Sequence, residues 1–493
     1  MQQKWDFTVL GRLFLVLITI ILLNIAPEQH EVTQKFKRVN EALRTGSLAE
    51  AARLTAEAAR QMPRRKDLWE RAGNYAWQGK DYPSAVIYFE QAVLSQNLST
   101  EGWLHLAEAY LYSDKPAKAV AVLHEMKESE LSSQVYIQLF QAHRMQKDYP
   151  AALSDMLALC DLAPQNANHF YVSGLLQMVT QPDRALDSLQ KASSLDENFT
   201  PTVTAIMDTL LLVQRSGDPV ELLMAYGRIL AALQEWELAG EAFHQAAIIE
   251  PDLPAAWAFL GEARQHGNGP ASIYASLYPM DITPVDSLND EDGLTELQKA
   301  LLLDPQFVTG HVFLALYWQR HQRFDQALTS IDNAIRLSPE DAALYSQKGS
   351  IQAMLGDLSG ALASYQQAVD VSKNKSQFLK LLITFCITYE YQLEEAALPA
   401  ARLLLQKDLK DPASLDLAGQ ILTLQKDPAA KKYLERALDQ DVNYAPAHLH
   451  LGLLYLQQGD LAHAKEKFTL AKSLSPDTTT GIQAQRLLET YFP

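Results

Sequence analysis

Few residues in this 493-residue chain could do chemistry, and they are scattered. The two cysteines, Cys160 and Cys386, lie in distant parts of the sequence, each among apolar neighbours (Leu159 beside the first, Phe385 and Ile387 around the second). Such settings make small buried hydrophobes, not activated thiolates. The run His448-Leu449-His450 suggests a metal pair, but residues two apart on a helix point to different sides. His311 and His321 stand singly. The sharpest metal hypothesis is the stretch from His266 to Asp292, which carries Asp281, Asp286, Asp290, Glu291 and Asp292 with no Lys or Arg. A calcium loop of the EF-hand type needs oxygen ligands at alternate positions, a central glycine and a closing carboxylate. Taking Gly293 as that glycine puts Leu288 at the first ligand position and Lys299 at the last, so the loop fails. The acids read instead as a solvated loop whose last members favour a helix N-terminus. No phosphate-binding glycine loop, Cys-x-x-Cys, nucleophile elbow or catalytic carboxylate pair occurs. The expectation is a protein with no catalytic residue, no metal and no cofactor.

Composition agrees with a folded body. Hydrophobic residues make up 48% and charged residues 20%, which argues against global disorder. The formal net charge is −17, with no long basic stripe to offset it, so no nucleic-acid partner is expected. Residues 1–30 form a separate element. Lys4 and Arg12 precede an apolar run from Leu13 to Leu23, and Phe7 to Ala26 is long enough to span if Arg12 snorkels. Asn24-Ile25-Ala26 before Pro27 is a poor cleavage site, so the segment reads as an uncleaved membrane anchor, with a cleaved signal as the alternative. The distribution of Lys and Arg leans toward an extracytoplasmic body, a bias that Lys35, Lys37 and Arg38 weaken.

What would have to position any functional surface is a repeat. From about residue 32 the sequence falls into units beginning near 32, 66, 100, 133, 166, 220, 254, 308, 342, 377, 411 and 445. Most spacings are 33 to 35 residues, and two of 54 hold insertions. Position 20 of the unit is alanine in every case but Gly293, from Ala51 and Ala85 through Ala430 and Ala464. Small residues return at position 8 (Gly73, Gly227, Gly452) and position 27 (Ala58, Ala92, Ala471), with large ones between, such as Trp69, Trp103, Phe89 and Phe468. Two antiparallel helices approach closely only where small side chains face each other. Pro83, Pro116 and Pro150 fall where second helices start, and Pro251, Pro339 and Pro476 where they stop.

This pattern resembles the tetratricopeptide repeat over nearly everything after residue 30. The clearest match is the last unit, Ala445 to Tyr455 through Ala464, Phe468, Ala471 and Pro476. The resemblance implies an all-α, right-handed α-solenoid of about twelve helix pairs, preceded by one transmembrane or signal helix. The expected organisation is 1–30 anchor or signal, 31–199 first repeat block, 200–265 a block with an extra helix (Ile206 to Val213), 266–292 inserted acidic loop, 293–477 second block, and 478–493 cap helix. Pro399, inside a second helix, is expected to kink it.

The resemblance also implies that first helices line a concave face, with positions 5, 9, 12 and 13 pointing into it. At or near position 5 stand Leu104, Phe170, Met224, Phe313, Phe385 and Leu449, with Trp77 and Tyr112 at positions 12 and 13. This stripe suits an amphipathic or extended hydrophobic segment of a protein partner, not the acidic-terminus clamp some relatives build from Lys and Asn. The equal alternative is that tight winding buries part of it. The expected function is a membrane-anchored scaffold for protein partners that organises an envelope or membrane-associated complex. Alternatives are a self-associating structural subunit and a non-catalytic regulatory subunit of an enzyme.

Overall fold

The computed structural model describes residues 33–96, 98–126, 132–213, 218–266 and 293–492. The apolar N-terminal segment and the acidic insertion after His266 lie outside them. The described residues form helices and turns with no strand, and none of their helices is long and apolar enough to cross a membrane. The chain divides into two compact units, one running to Pro251, the other made of Asp252–Gln265 and the described residues from Gly293.

In the first unit, helices pair in order: α1 (33–44) with α2 (Leu48–Gln61), α3 (Asp67–Gln78) with α4 (Tyr82–Leu94), α5 (Thr100–Tyr112) with α6 (Pro116–His124), α7 (Ser133–Met145) with α8 (Tyr149–Leu162), and α9 (Ala167–Thr180) with α10 (Ala185–Leu195). The extra helix expected near Ile206 is α11 (Thr200–Val213), followed by the pair α12 (Pro219–Ala232) and α13 (Trp236–Ile249). The second unit holds α14 (Pro254–Ala263) and α15 (Leu294–Leu303), α16 (Val308–Arg320) and α17 (Phe324–Leu337), and α18 (Ala342–Leu355) and α19 (Leu358–Val371). It continues with α20 (Ser376–Thr388) and α21 (Leu398–Lys407), α22 (Pro412–Leu424) and α23 (Ala430–Gln440), α24 (Ala445–Gln457) and α25 (Leu461–Leu474), and closes with the cap α26 (Thr479–Tyr491).

Each pair is made by the same local physics. In several pairs the second helix starts on an aspartate whose carboxylate accepts a backbone N–H one turn on: Asp81 from Ser84 at 3.3 Å, Asp148 from Ala151 at 3.1 Å, Asp357 from Gly360 at 2.9 Å. The residue two before the second helix, just ahead of its N-cap, often turns the chain through the left-handed region. It is glycine in some pairs (Gly356, φ +90°; Gly459, φ +79°) but Lys80 (+58°), Lys147 (+56°), Gln234 (+61°) and Gln322 (+57°) in others. Where the helices meet, the alanines at position 20 are fully buried, as at Ala85, Ala239 and Ala361. A Cβ on Gly73 would lie 2.5 Å from the Phe89 ring, so only glycine lets α3 and α4 close to this distance.

Two places depart from the simple array. Pro399 lies inside the second helix of its unit. That helix opens with a π turn, Leu393–Ala397, and runs on directly as α21, so the proline falls where π winding passes into α winding. In the first unit, α12 and α13 both pack on α9, whereas the regular pairs place only the next first helix there. Eleven of the fourteen residues of α9 are buried as a result. Tyr226 of α12 donates to the Pro182 carbonyl at 3.0 Å, and Arg144 of α7 reaches Glu237 of α13 through Nη2 at 3.0 Å and Nε at 3.1 Å.

Candidate partner-binding surface

The eight side chains proposed from sequence divide evenly. Leu104 (8% exposed), Met224 (5%), Phe385 (4%) and Leu449 (2%) are core residues. Leu104 packs among Ala76, Ala107 and Leu139, and Leu449 against Phe468 and Ala464. Phe385 lies between Tyr365 and Tyr389, with ring centroids at 5.1 and 5.4 Å. Met224 is buried with α12, whose helix packs on α9. These four follow the tight-winding alternative left open for the stripe. Neighbouring helices in a solenoid meet along the flank of each first helix, and an apolar residue there is consumed by the next repeat.

The other four are partly exposed but do not form one surface. Phe170 turns its ring toward Lys191 of α10, 6.0 Å away. Phe313 packs edge-on against Phe259 at 5.1 Å. Trp77 and Tyr112 stand on α3 and α5, first helices that pack together and present one face.

That face is a ladder of side-chain rungs. Asn74 Oδ1 lies 2.9 Å from His105 Nδ1, and Trp77 Nε1 donates to Glu108 Oε2 at 3.1 Å. Glu70 at the near end accepts the hydroxyl and, at 3.3 Å, the N–H of Ser99, which caps α5 by accepting from Gly102 N–H at 3.0 Å. The His105 ring stacks on the Trp77 indole, centroids 3.8 Å apart and planes 20° from parallel. Tyr112 stacks on Tyr82 at 4.2 Å and 10°. The side chains between the rungs thus hold one another in place before any ligand arrives. Burial pushes the His105 pKa down and the Glu108 carboxyl up. Asn74 and Glu108 occupy position 9, which the repeat register marked as inward-facing, but a search for apolar residues passed over them. His105 had no signal in sequence apart from its spacing.

The second unit offers a different first-helix surface. Met354 of α18, Leu381 of α20 and Tyr389 just after α20 are 53%, 44% and 41% exposed, with Lys380 tied to Asp411 at 2.8 Å. A shallow recess between α18 and α20 is lined by Ala343, Ser346, Phe378, Lys380 and Leu381. Farther on, α22 and α24 are joined by a rung from Asp416 to His450 at 2.8 Å, with Gln420 also donating to the buried Asp416. Among the described residues no group of three His, Cys, Asp or Glu side chains is placed to hold a metal ion.

The model of the tetratricopeptide repeat matches residues 36–101, 292–376 and 422–477. Over these stretches, less than half of the chain, the sequence is similar to the tetratricopeptide repeat. The matched stretches cover nearly all of α1 and the whole of α2 through α4, then α15 through α19, and then α23 through α25. The helices from α5 to α14 and from α20 to α22 lie outside them, apart from a few terminal residues. Among solved structures, yeast Tom70 is similar with 16% identity and a TM-score of 0.39, covering 94% of this chain and 96% of its own. The Cut9–Hcn1 hetero-tetramer of APC/C is similar with 14% identity and a TM-score of 0.38, covering 92% and 95%. A tetratricopeptide repeat protein from Parabacteroides merdae gives 14% and 0.39, covering 55% and 99%. No curated protein matches the sequence.

Proposed function

We propose that this chain is a scaffold that binds protein segments on the first-helix faces of its repeats and is held at a membrane by its N-terminal apolar segment. The observation that carries the binding reading is the α3–α5 ladder. Its aromatic and polar side chains are partly exposed, mutually fixed and in register from one repeat to the next. Surfaces of this kind bind with little ordering cost because their rotamers are already set. The membrane reading rests on the sequence from Phe7 to Ala26.

Crosslinked affinity capture from membranes tests both parts. The full-length chain is compared with Trp77→Ala/Tyr112→Ala and with a form lacking residues 1–30. Partners lost in the double variant support binding at this face. Partners kept unchanged would move binding to another surface. Capture of the chain alone would replace the scaffold with a self-assembling subunit. Retention of the shortened form in carbonate-washed membranes would remove the anchor.

A further inference from the structure

The ladder on α3 and α5 is acidic in a particular way. Glu108 is half-buried, its one hydrogen bond described is the donation from Trp77, and burial raises its pKa with no cation contributing. The side chains around it add further negative charge. Glu101 lies about two turns before it on α5, and Glu70 lies on α3. Asp67 of α3 is already paired, with Arg65 at 2.8 Å and Arg71 at 3.7 Å. His105 is kept neutral at neutral pH by the downward push of burial. Tyr112 stands one turn beyond Glu108 on the same side of α5.

We infer that this face receives a basic peptide segment, with an arginine or lysine of the partner paired to Glu108. The inference rests on the scaffold reading above and specifies its partner. Three kinds of partner can be compared. An acidic segment would meet Glu70, Glu101 and Glu108 at close range and be repelled. A wholly apolar segment would bury Glu108 further with no counter-charge, at the cost of a carboxylate left unpaired. A basic segment offsets that charge, and the carboxylate has already lost part of its hydration in the free protein, so less remains to be lost on binding. Arginine fits best, because a guanidinium can fork to a carboxylate. The net charge of −17 acts in the same direction by drawing basic partners in at low salt.

The test is capture of full-length protein, in detergent, on an array of nine-residue peptides whose central residue is Arg, Lys, Ala, Leu or Glu in otherwise identical frames. The same array is probed with Glu108→Gln, which can still accept the Trp77 bond. Wild type is expected to favour arginine over alanine by roughly tenfold, the factor that one desolvated charge pair carries. That preference should fall close to unity in Glu108→Gln and weaken as salt rises from about 50 to 300 mM. If Glu108→Gln loses helicity by circular dichroism, the salt dependence in wild type decides in its place. Preference for leucine or glutamate peptides, or an arginine preference untouched by Glu108→Gln, overturns the basic site and leaves the scaffold standing. Capture of no peptide of any kind overturns both.

Discussion

Single residues show how narrow the tolerances of this array are. Gly73→Ala would place a methyl group 2.5 Å from the Phe89 ring, so a loss of about 1–3 kcal/mol is expected, read as a lower midpoint of thermal unfolding. The Arg144–Glu237 pair is more heavily committed, with the arginine only 8% exposed. Arg144→Leu alone should cost about 2–4 kcal/mol, and Arg144→Leu/Glu237→Leu should recover most of it, because the penalty lies in the carboxylate left behind. A recovery of less than half would show that other partners of these two residues dominate. His143 gives a pH prediction. Its hydrogen bond to Asp155 at 2.7 Å holds the imidazole above its ordinary 6.5. A raised histidine contributes stability that is complete below 6.5 and is lost as pH rises through the folded value. Burial also raises Asp155, which pushes stability the same way. Thermal midpoints should therefore decline from about pH 6 to pH 8.5, and His143→Gln should flatten that slope. The sequence disclosed these residues unequally. Trp77 and Tyr112 could be named from their offsets. Leu104 and Phe385 share equally inward offsets yet are buried, because period alone does not tell which flank of a first helix the next repeat will cover.

Helices and turns were the most legible level. Twelve helix starts and the cap Thr479–Tyr491 follow from alanines, glycines and prolines recurring at fixed phase, since close helix packing leaves little freedom in residue size. The turns between paired helices were less legible. Their left-handed residue is glycine in only some units, so glycine did not mark it. Lysine or glutamine there is held against its conformational preference, which makes Lys80, Lys147, Gln234 and Gln322 sites for gain. Each change to glycine should add roughly 0.5–1 kcal/mol, the relief of left-handed strain less the entropy glycine adds to the unfolded chain. A thermal midpoint that rises with each added glycine would confirm it, and a fall would show that the long side chains contribute contacts worth more than the strain. At α21 the sequence marks a disturbance through Pro399, whereas the π turn that carries it has no signal of its own. The chain widens one turn and begins the α-helix late.

At the scale of the molecule, each repeat leans mainly on its neighbours, so cooperativity should be regional. Two compact units make a single two-state transition unexpected, and calorimetric enthalpy should exceed the van't Hoff value. Truncation after Asp477 should raise amide exchange in α24 and α25, where Leu487, Leu488 and Phe492 cover Leu449 and Phe468, while leaving the first unit protected. The placement of α12 and α13 on α9 was not legible in the sequence. An extra helix was visible at Ile206 to Val213, but the direction in which it returned the chain depends on a pairing between Arg144 and Glu237 across 93 positions.

That placement also sets how much a partner can say to this protein. With α9 covered, the first-helix face of the first unit ends at α7. Adjacent first helices sit about 8–10 Å apart, so α3 to α7 spans roughly 20 Å. An extended chain covers that distance in about six residues. A recognition code this short carries little information and little contact area, which suits short linear motifs that exchange quickly, with dissociation constants on the order of micromolar, and ill suits a stable assembly built on this face alone.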